Sequence, residues 1–229
     1  MAAFNFGHHV VPLLSAETNG KSLTLKKFLG AGFYIDDKGT LLTCRHVVDL
    51  VDVGDVLAIK DIKTNQFGVA HQIHRHPRID IAVIRTQLTG TSYLELDTDR
   101  PGLGRDVGCF GFAFNSQSGA SITTDPRLEK GHVLGHRPFA PQDSVWVYEL
   151  NFAVTSGFSG GPIFDTNYSR YVGMVFGNIE SRYQSYAYEE VEEAGAKHKH
   201  TIERVLEYGL AFPSELISEF VQQLDMKHW

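Results

Sequence analysis

Thr155-Ser156-Gly157-Phe158-Ser159-Gly160-Gly161-Pro162-Ile163-Phe164 is the stretch on which the reading of the fold turns. Glycines weaken strands and cost backbone entropy, so their crowding around one serine needs a cause. A nucleophilic serine supplies one. It must stand exposed on a tight turn, with backbone N–H groups aimed at the oxyanion that develops on the attacked carbonyl. Gly157 and Ser159 are the natural donors, because glycine permits the peptide orientation that aims such a group. The plainer alternative is a glycine-rich hairpin carrying an incidental serine.

Gly157-x-Ser159-x-Gly161 also fits the strand–turn–helix elbow of α/β-hydrolases, whose acid and histidine lie later in the chain. Here Pro162-Ile163-Phe164 reads as a strand, and the plausible partners lie upstream. The βαβ alternation that a parallel sheet requires is missing as well. A serine hydroxyl needs a general base within hydrogen-bond reach. In Leu41-Leu42-Thr43-Cys44-Arg45-His46-Val47-Val48-Asp49, His46 stands where an apolar strand ends and a turn begins. A lone histidine there would ordinarily be a packed or surface residue. Arg78-Ile79-Asp80-Ile81-Ala82-Val83-Ile84 then puts Asp80 at the entry to a strongly apolar strand. An acid so placed asks for a donor, which His46 could supply.

Working outward, short β-branched apolar runs recur between turn signals, which favours an all-β sandwich or barrel. They are His9–Leu14, Gly32–Ile35, Leu41–Thr43, Val56–Lys60, Ile79–Arg85, Val107–Phe114, Ser144–Leu150, Pro162–Phe164, Tyr171–Phe176 and Gly209–Phe212. Asp36-Asp37-Lys38-Gly39 predicts a hairpin turn. Leu96–Gly104, rich in Asp, Pro and Gly, predicts a linker between residues 1–100, carrying His46 and Asp80, and residues 101–229, carrying Ser159. Ser214 reads as the N-cap of a helix whose apolar stripe is Leu216, Ile217, Phe220, Val221 and Leu224. The polar segment at about 178–206 reads as a solvated surface insertion, with Tyr183–Glu193 as surface helix or loop.

The 229 residues carry a net charge of -6, which argues against a general nucleic-acid binder. No apolar run approaches the roughly 20 residues that span a bilayer. Residues Met1–His9 show no basic start followed by an apolar segment, so no signal peptide is expected. Cys44 and Cys109 are too few for a disulfide scaffold and predict free, buried thiols. Together these features predict a cytoplasmic protein. His71, His74 and His76 match no strong zinc spacing and predict an exposed polar turn, with no metal.

Leu42–Val48, Asp80-Ile81-Ala82 and Gly157–Pro162 resemble the three signature segments of trypsin-like serine peptidases, in the family order His, Asp, Ser. Their spacing, with Gly30-Ala31-Gly32-Phe33, Val107–Phe112 and Gly209–Ser214, is similar to the compact HtrA-like branch. No PDZ-like domain is expected to follow. The resemblance covers about residues 28 to 215. It implies two antiparallel six-stranded β-barrels, with the active site between them and a C-terminal helix behind. It further implies a serine endopeptidase needing no cofactor, acting through an acyl-enzyme on a protein or peptide substrate. Ser159 would attack, His46 would serve as base and then acid, Asp80 would orient it, and the N–H groups of Gly157 and Ser159 would hold the oxyanion. Ala153, Val154, Phe176, Gly177 and Gly209 would surround the primary specificity pocket. None is charged, which predicts small or medium apolar residues before the cut. Phe158 stands where secreted members carry the Asp that pairs with a newly cut N-terminus, so activation by that route is not expected. Phe176 stands where a serine or threonine often supports the triad Asp. The rival reading is a catalytically silent peptidase-fold module that binds protein, and a regulatory protein partner fits either.

Overall fold

The structure, a computed structural model, describes residues 6–20, 22–97, 99–119, 121–142, 145–165, 170–191 and 197–225. Six strands, β1 (Val10–Thr18), β2 (Leu23–Tyr34), β3 (Thr40–Thr43), β4 (Val56–Lys60), β5 (Phe67–Arg75) and β6 (Ala82–Thr86), close into a barrel. Its order is β1-β2-β3-β6-β5-β4. Leu13, Phe33, Leu42, Ile59 and Ile84 lie fully buried within it. The expected turn at Asp36–Gly39 joins β2 to β3. The Asp36 carboxylate accepts the N–H groups of Lys38 and Thr40 and the Thr40 hydroxyl. Gly39 holds φ +82°, where a side chain would also collide with the Leu88 carbonyl.

The second sheet begins with β7 (Glu95–Leu96) and continues through β8 (Asp106–Ser118), β9 (Ser121–Phe139), β10 (Val145–Leu150), β11 (Pro162–Asp165), β12 (Arg170–Val191) and β13 (Lys197–Pro213). Its order is β11-β8-β9-β10-β13-β12-β7, and a further β11–β12 pairing closes six of the strands into a ring. The two-residue β7 lies outside that ring, parallel to β12. Val107, Cys109, Leu150, Phe158, Ile163 and Val175 pack its interior. A larger apolar cluster bridges the barrels, running from Phe33 and Leu42 to Met174 and Phe212. Helix α2 (Ser214–Asp225) buries Ile217 and Phe220 against this cluster. The Ser214 hydroxyl, expected to cap the helix, donates to the Asp97 carbonyl at 2.7 Å, tying the helix to the inter-barrel segment.

The expected strands lie in or against observed ones, except that Ser144 falls outside the described residues. The polar segment is not helix or loop. Its described residues continue β12 and β13 as an antiparallel ribbon, paired from Gly173↔Pro213 to Val191↔Lys197, while Glu192 and Glu193 lie outside the described residues. His71 and His74 likewise lie in strand β5, leaving His76 alone in the turn.

Candidate active site

Strand β3 ends at Thr43, and the extended Cys44 feeds a single helical turn, α1 (Arg45–Asp49). That turn puts the His46 side chain in solvent contact. Asp80 sits in the β5–β6 turn with its carboxylate largely covered. Its Oδ1 accepts the His46 N–H at 2.7 Å, and its Oδ2 pairs with His46 Nδ1 at 2.6 Å. This two-point grip makes Nδ1 the donor and leaves Nε2 as the acceptor.

The Asp80 turn is itself braced. The His76 ring accepts the N–H groups of Arg78 and Ile79 at 3.2 and 3.0 Å. Arg45 donates to the His76 and Pro77 carbonyls, and Gln142 accepts the Asp80 N–H at 2.7 Å. A shallow depression of about 240 Å³ beside the pair is lined by Arg45, His46, Arg78, Asp80 and Gln142.

Ser159 arrives from the other barrel. Gly157 holds φ +96° and Gly160 φ +86°, a region that favours glycine. A Cβ on Gly160 would stand 2.3 Å from both the Ala31 carbonyl and the Thr43 hydroxyl. Between them Phe158 is fully buried, packed over Gly111, where a Cβ would come within 2.6 Å of its ring. The loop is thus anchored by an aromatic side chain rather than by an ion pair.

Its backbone groups divide sharply. The N–H groups of Phe158, Gly160 and Gly161 donate to Thr155, Val175 and Phe158 carbonyls at 3.0, 2.9 and 2.7 Å. Those of Gly157 and Ser159 make no backbone hydrogen bond among the described residues. The Ser159 carbonyl accepts the Ala31 N–H at 3.0 Å, which docks the nucleophile loop on β2, beside the strand that leads to His46. Among the described residues no hydrogen bond joins the Ser159 hydroxyl to His46; such bonds often tighten only when substrate is bound.

Of the five residues expected around a specificity pocket, the structure sets Val154 against Gly209, and Gly177 precedes Asn178, the ladder partner of Gly209. The Asn178 carboxamide bonds the Val154 N–H and carbonyl at 2.6 and 2.9 Å. Gly209 donates to the Phe152 carbonyl, and a Cβ on it would meet Val154 Cγ2 at 2.7 Å. Ala153 lies between these contacts. Space is open at Gly177. The Phe176 ring stacks instead on Phe212, 4.1 Å between centroids, and leans on Phe139. Sequence reasoning missed the supports: Asn178, Gln142, His76, and Thr155, whose hydroxyl donates to Glu129. Only His76 carried a signal, as one of three clustered histidines.

Both cysteines are free and buried. Burial, and then the nearby Asp80 charge, push the Cys44 thiol well above its usual range. Cys44, His46 and Asp80 bring potential donor atoms within 4.8 Å of one another. Those atoms are already engaged, His46 with Asp80, and the thiol with the Val175 carbonyl at 3.3 Å.

The trypsin-like peptidase domain family matches residues 30–174. A protein described as "Probable periplasmic serine endoprotease DegP-like", from Marinomonas sp. (strain MWYL1), is 28% identical over 142 residues, 60% of this chain. The chain spans about a quarter, 27%, of that relative's length. The solved structure of the HtrA-type protease AlgW with decapeptide superposes with a TM-score of 0.65 at 17% identity. That match covers 97% of this chain and 65% of the other, and it shows a shared fold.

Proposed function

The chain belongs to the trypsin-like peptidase family, and we propose that it is a serine endopeptidase using Ser159, His46 and Asp80. The observation that carries this reading is the division of N–H groups in the 157–161 loop. Among the described residues two donors have no backbone acceptor while their three neighbours hold the loop, and donors left free in this way are what an oxyanion site needs before substrate arrives. Ser159 Oγ attacks the scissile carbonyl as His46 Nε2 takes its proton, and the oxyanion rests on the N–H groups of Gly157 and Ser159. His46 returns the proton to the leaving amine. Water then repeats the sequence on the acyl-enzyme, regenerating the free hydroxyl. Asp80 holds the ring in the Nδ1–H tautomer throughout and stabilises the imidazolium.

For the residue before the cut we propose small or medium apolar side chains. Val154 Cγ2 stands against Gly209, which takes up space there, and none of the five expected pocket residues is charged. A peptide-library profile led by basic or acidic residues at that position overturns this preference. Two free buried thiols fit a reducing, cytoplasmic location, which cell fractionation tests.

Intact-protein mass spectrometry after fluorophosphonate treatment tests the central reading. One adduct on the wild type, mapped to Ser159 and absent from Ser159→Ala, is the expected result. Turnover in that variant should fall roughly 10⁴–10⁶-fold, and His46→Ala added to it should change little more. A folded wild type that takes no adduct overturns the enzyme reading in favour of a silent binding module.

A further inference from the structure

Strand β12 does not stop at the candidate site. Up to Met174 it is flanked on both sides, by β11 and by β13. Val175 then exchanges backbone hydrogen bonds with Gly160 and Gly161, the two residues that follow Ser159. From Gly177 to Val191 it pairs with β13 alone, and among the described residues no strand covers its other edge. At ~3.3 Å per residue, that open edge runs about 50 Å from the nucleophile loop.

The ribbon also has two unlike faces. Tyr183, Tyr186 and Tyr188 stand opposite Arg204, Ile202 and His200. The register shift between Gln184 and Tyr186 keeps all three tyrosines on one side, because their partners alternate by two along β13. Tyr186, Tyr188 and Ile202 are exposed, and Tyr188 stacks on His200 at 4.8 Å. The opposite face carries Glu180, Arg182, Gln184, Glu203 and Glu207, with Val205 as its exposed apolar member. A two-stranded ribbon standing alone in water is marginal, and an open edge is a template for another strand.

We propose that this edge, from Ile179 outward, is an extended exosite for the substrate polypeptide. A stretch of unfolded chain remote from the scissile bond adds to β12 as a further strand, main chain to main chain, with alternate side chains resting on the tyrosine face. The inference rests on Ser159 being the nucleophile. A substrate strand is favoured as occupant because the edge leads directly into the Ser159 loop, so a chain laid along it is delivered to the reacting atom. The exosite lies beyond the pocket residues and would select long, unstructured substrates over short peptides.

The test is a variant in which residues 183–204 are replaced by Asn-Gly, a two-residue turn joining Arg182 to its ladder partner Val205. The probes are β-casein, as an unfolded protein, and a tetrapeptide amide short enough to miss the ribbon. The expected result is a fall of about tenfold in kcat/KM on β-casein, carried by KM, with tetrapeptide turnover and Ser159 labelling unchanged. The full-length triple variant Tyr183→Ser, Tyr186→Ser, Tyr188→Ser should move β-casein the same way by less, and it serves if the excised chain fails to fold. Equal rates on β-casein with and without the ribbon overturn the proposal, as does a parallel loss on both substrates in a folded variant. A wild-type oligomer that dissociates on excision, with the β-casein rate following oligomer content, assigns the edge to a second copy and overturns it too. Fluorescence anisotropy of labelled β-casein on Ser159→Ala separates the two readings. Weaker binding without the ribbon supports the exosite, whereas failure to label wild-type Ser159 sinks only the peptidase reading beneath it.

Discussion

The first barrel presents His46 and Asp80 through hydrogen bonds at a partly exposed surface, whereas the second presents Ser159 through apolar burial and backbone shape. On the first side, one carboxylate holds the His46 imidazole and its backbone N–H, and the carboxylate is held by a turn braced with Arg45, His76 and Gln142. Exposed polar pairs of this kind contribute little to stability, about 0–1 kcal/mol each, so their role is orientation. On the second side, Phe158 is sunk in the core and its neighbours are forced into shapes that glycine tolerates. There, loop geometry and folding free energy are one quantity. The difference teaches that damage to the first half should silence the site without unfolding it, and damage to the second should do both.

The largest expected effect tests the first half. Asp80→Asn keeps the size and the acceptor facing the His46 N–H, but it favours the wrong imidazole tautomer. Turnover should fall about 10⁴-fold while unfolding free energy changes by less than about 1 kcal/mol. Stopped-assay kinetics beside urea titration read both numbers, and a cooperative loss of folding would break the division. Next comes Phe158→Ala, which leaves a cavity under the loop. It should cost about 3–5 kcal/mol and also slow fluorophosphonate labelling of Ser159. Normal labelling at reduced stability would mean that the loop keeps its shape without its anchor.

Gly111→Ala reaches the same contact from the opposite side and should cost about 1–3 kcal/mol by crowding the ring. Combining it with Phe158→Leu sharpens the point. If the two positions share one packing contact, the double variant should be more stable than the sum of the singles by about 0.5–3 kcal/mol. Strict additivity would show that Gly111 is needed for some other reason.

The same contrast governs what could be read from sequence. The nucleophile loop was legible because its glycines make sense only around a strained turn, and Asp80 because an acid entering an apolar strand asks for a donor. The Asp36–Gly39 turn was legible from its own residue types. Strands β5, β9 and the outer reaches of β12 and β13 were not. Much of their length faces solvent on both sides, so no apolar alternation marks the register, and Glu-rich stretches such as Tyr188–Glu193 suggest helix or loop on local grounds. The ladder that holds them is a relation between distant residues, visible only once Tyr186 is found opposite Ile202. The braces of Asp80 were hidden for the same reason. Gln142 is 62 residues away and carries no local sign of its partner.

Gln142 gives the smallest expected effect and the one that bears most closely on the division between the barrels. It belongs to the connection between β9 and β10, on the second barrel's side, yet its carboxamide oxygen accepts the N–H of Asp80 on the first. Removing it in Gln142→Ala leaves that N–H to water, because the turn is partly open, so the stability cost should be about 1 kcal/mol or less. The Asp80 turn would then be held by His76 and Arg45 alone, and small errors in the angle of the carboxylate pass directly to the imidazole. Turnover should fall about 3- to 10-fold with KM unchanged, and Gln142→Glu, which keeps an acceptor oxygen at the same reach, should recover most of it. A KM effect, or no recovery by Glu, would make Gln142 a cleft residue rather than a positioning one. If kcat alone responds, the orientation of the first half is set partly from across the cleft, and the two barrels are independent in how they store stability but not in how they aim the reacting groups.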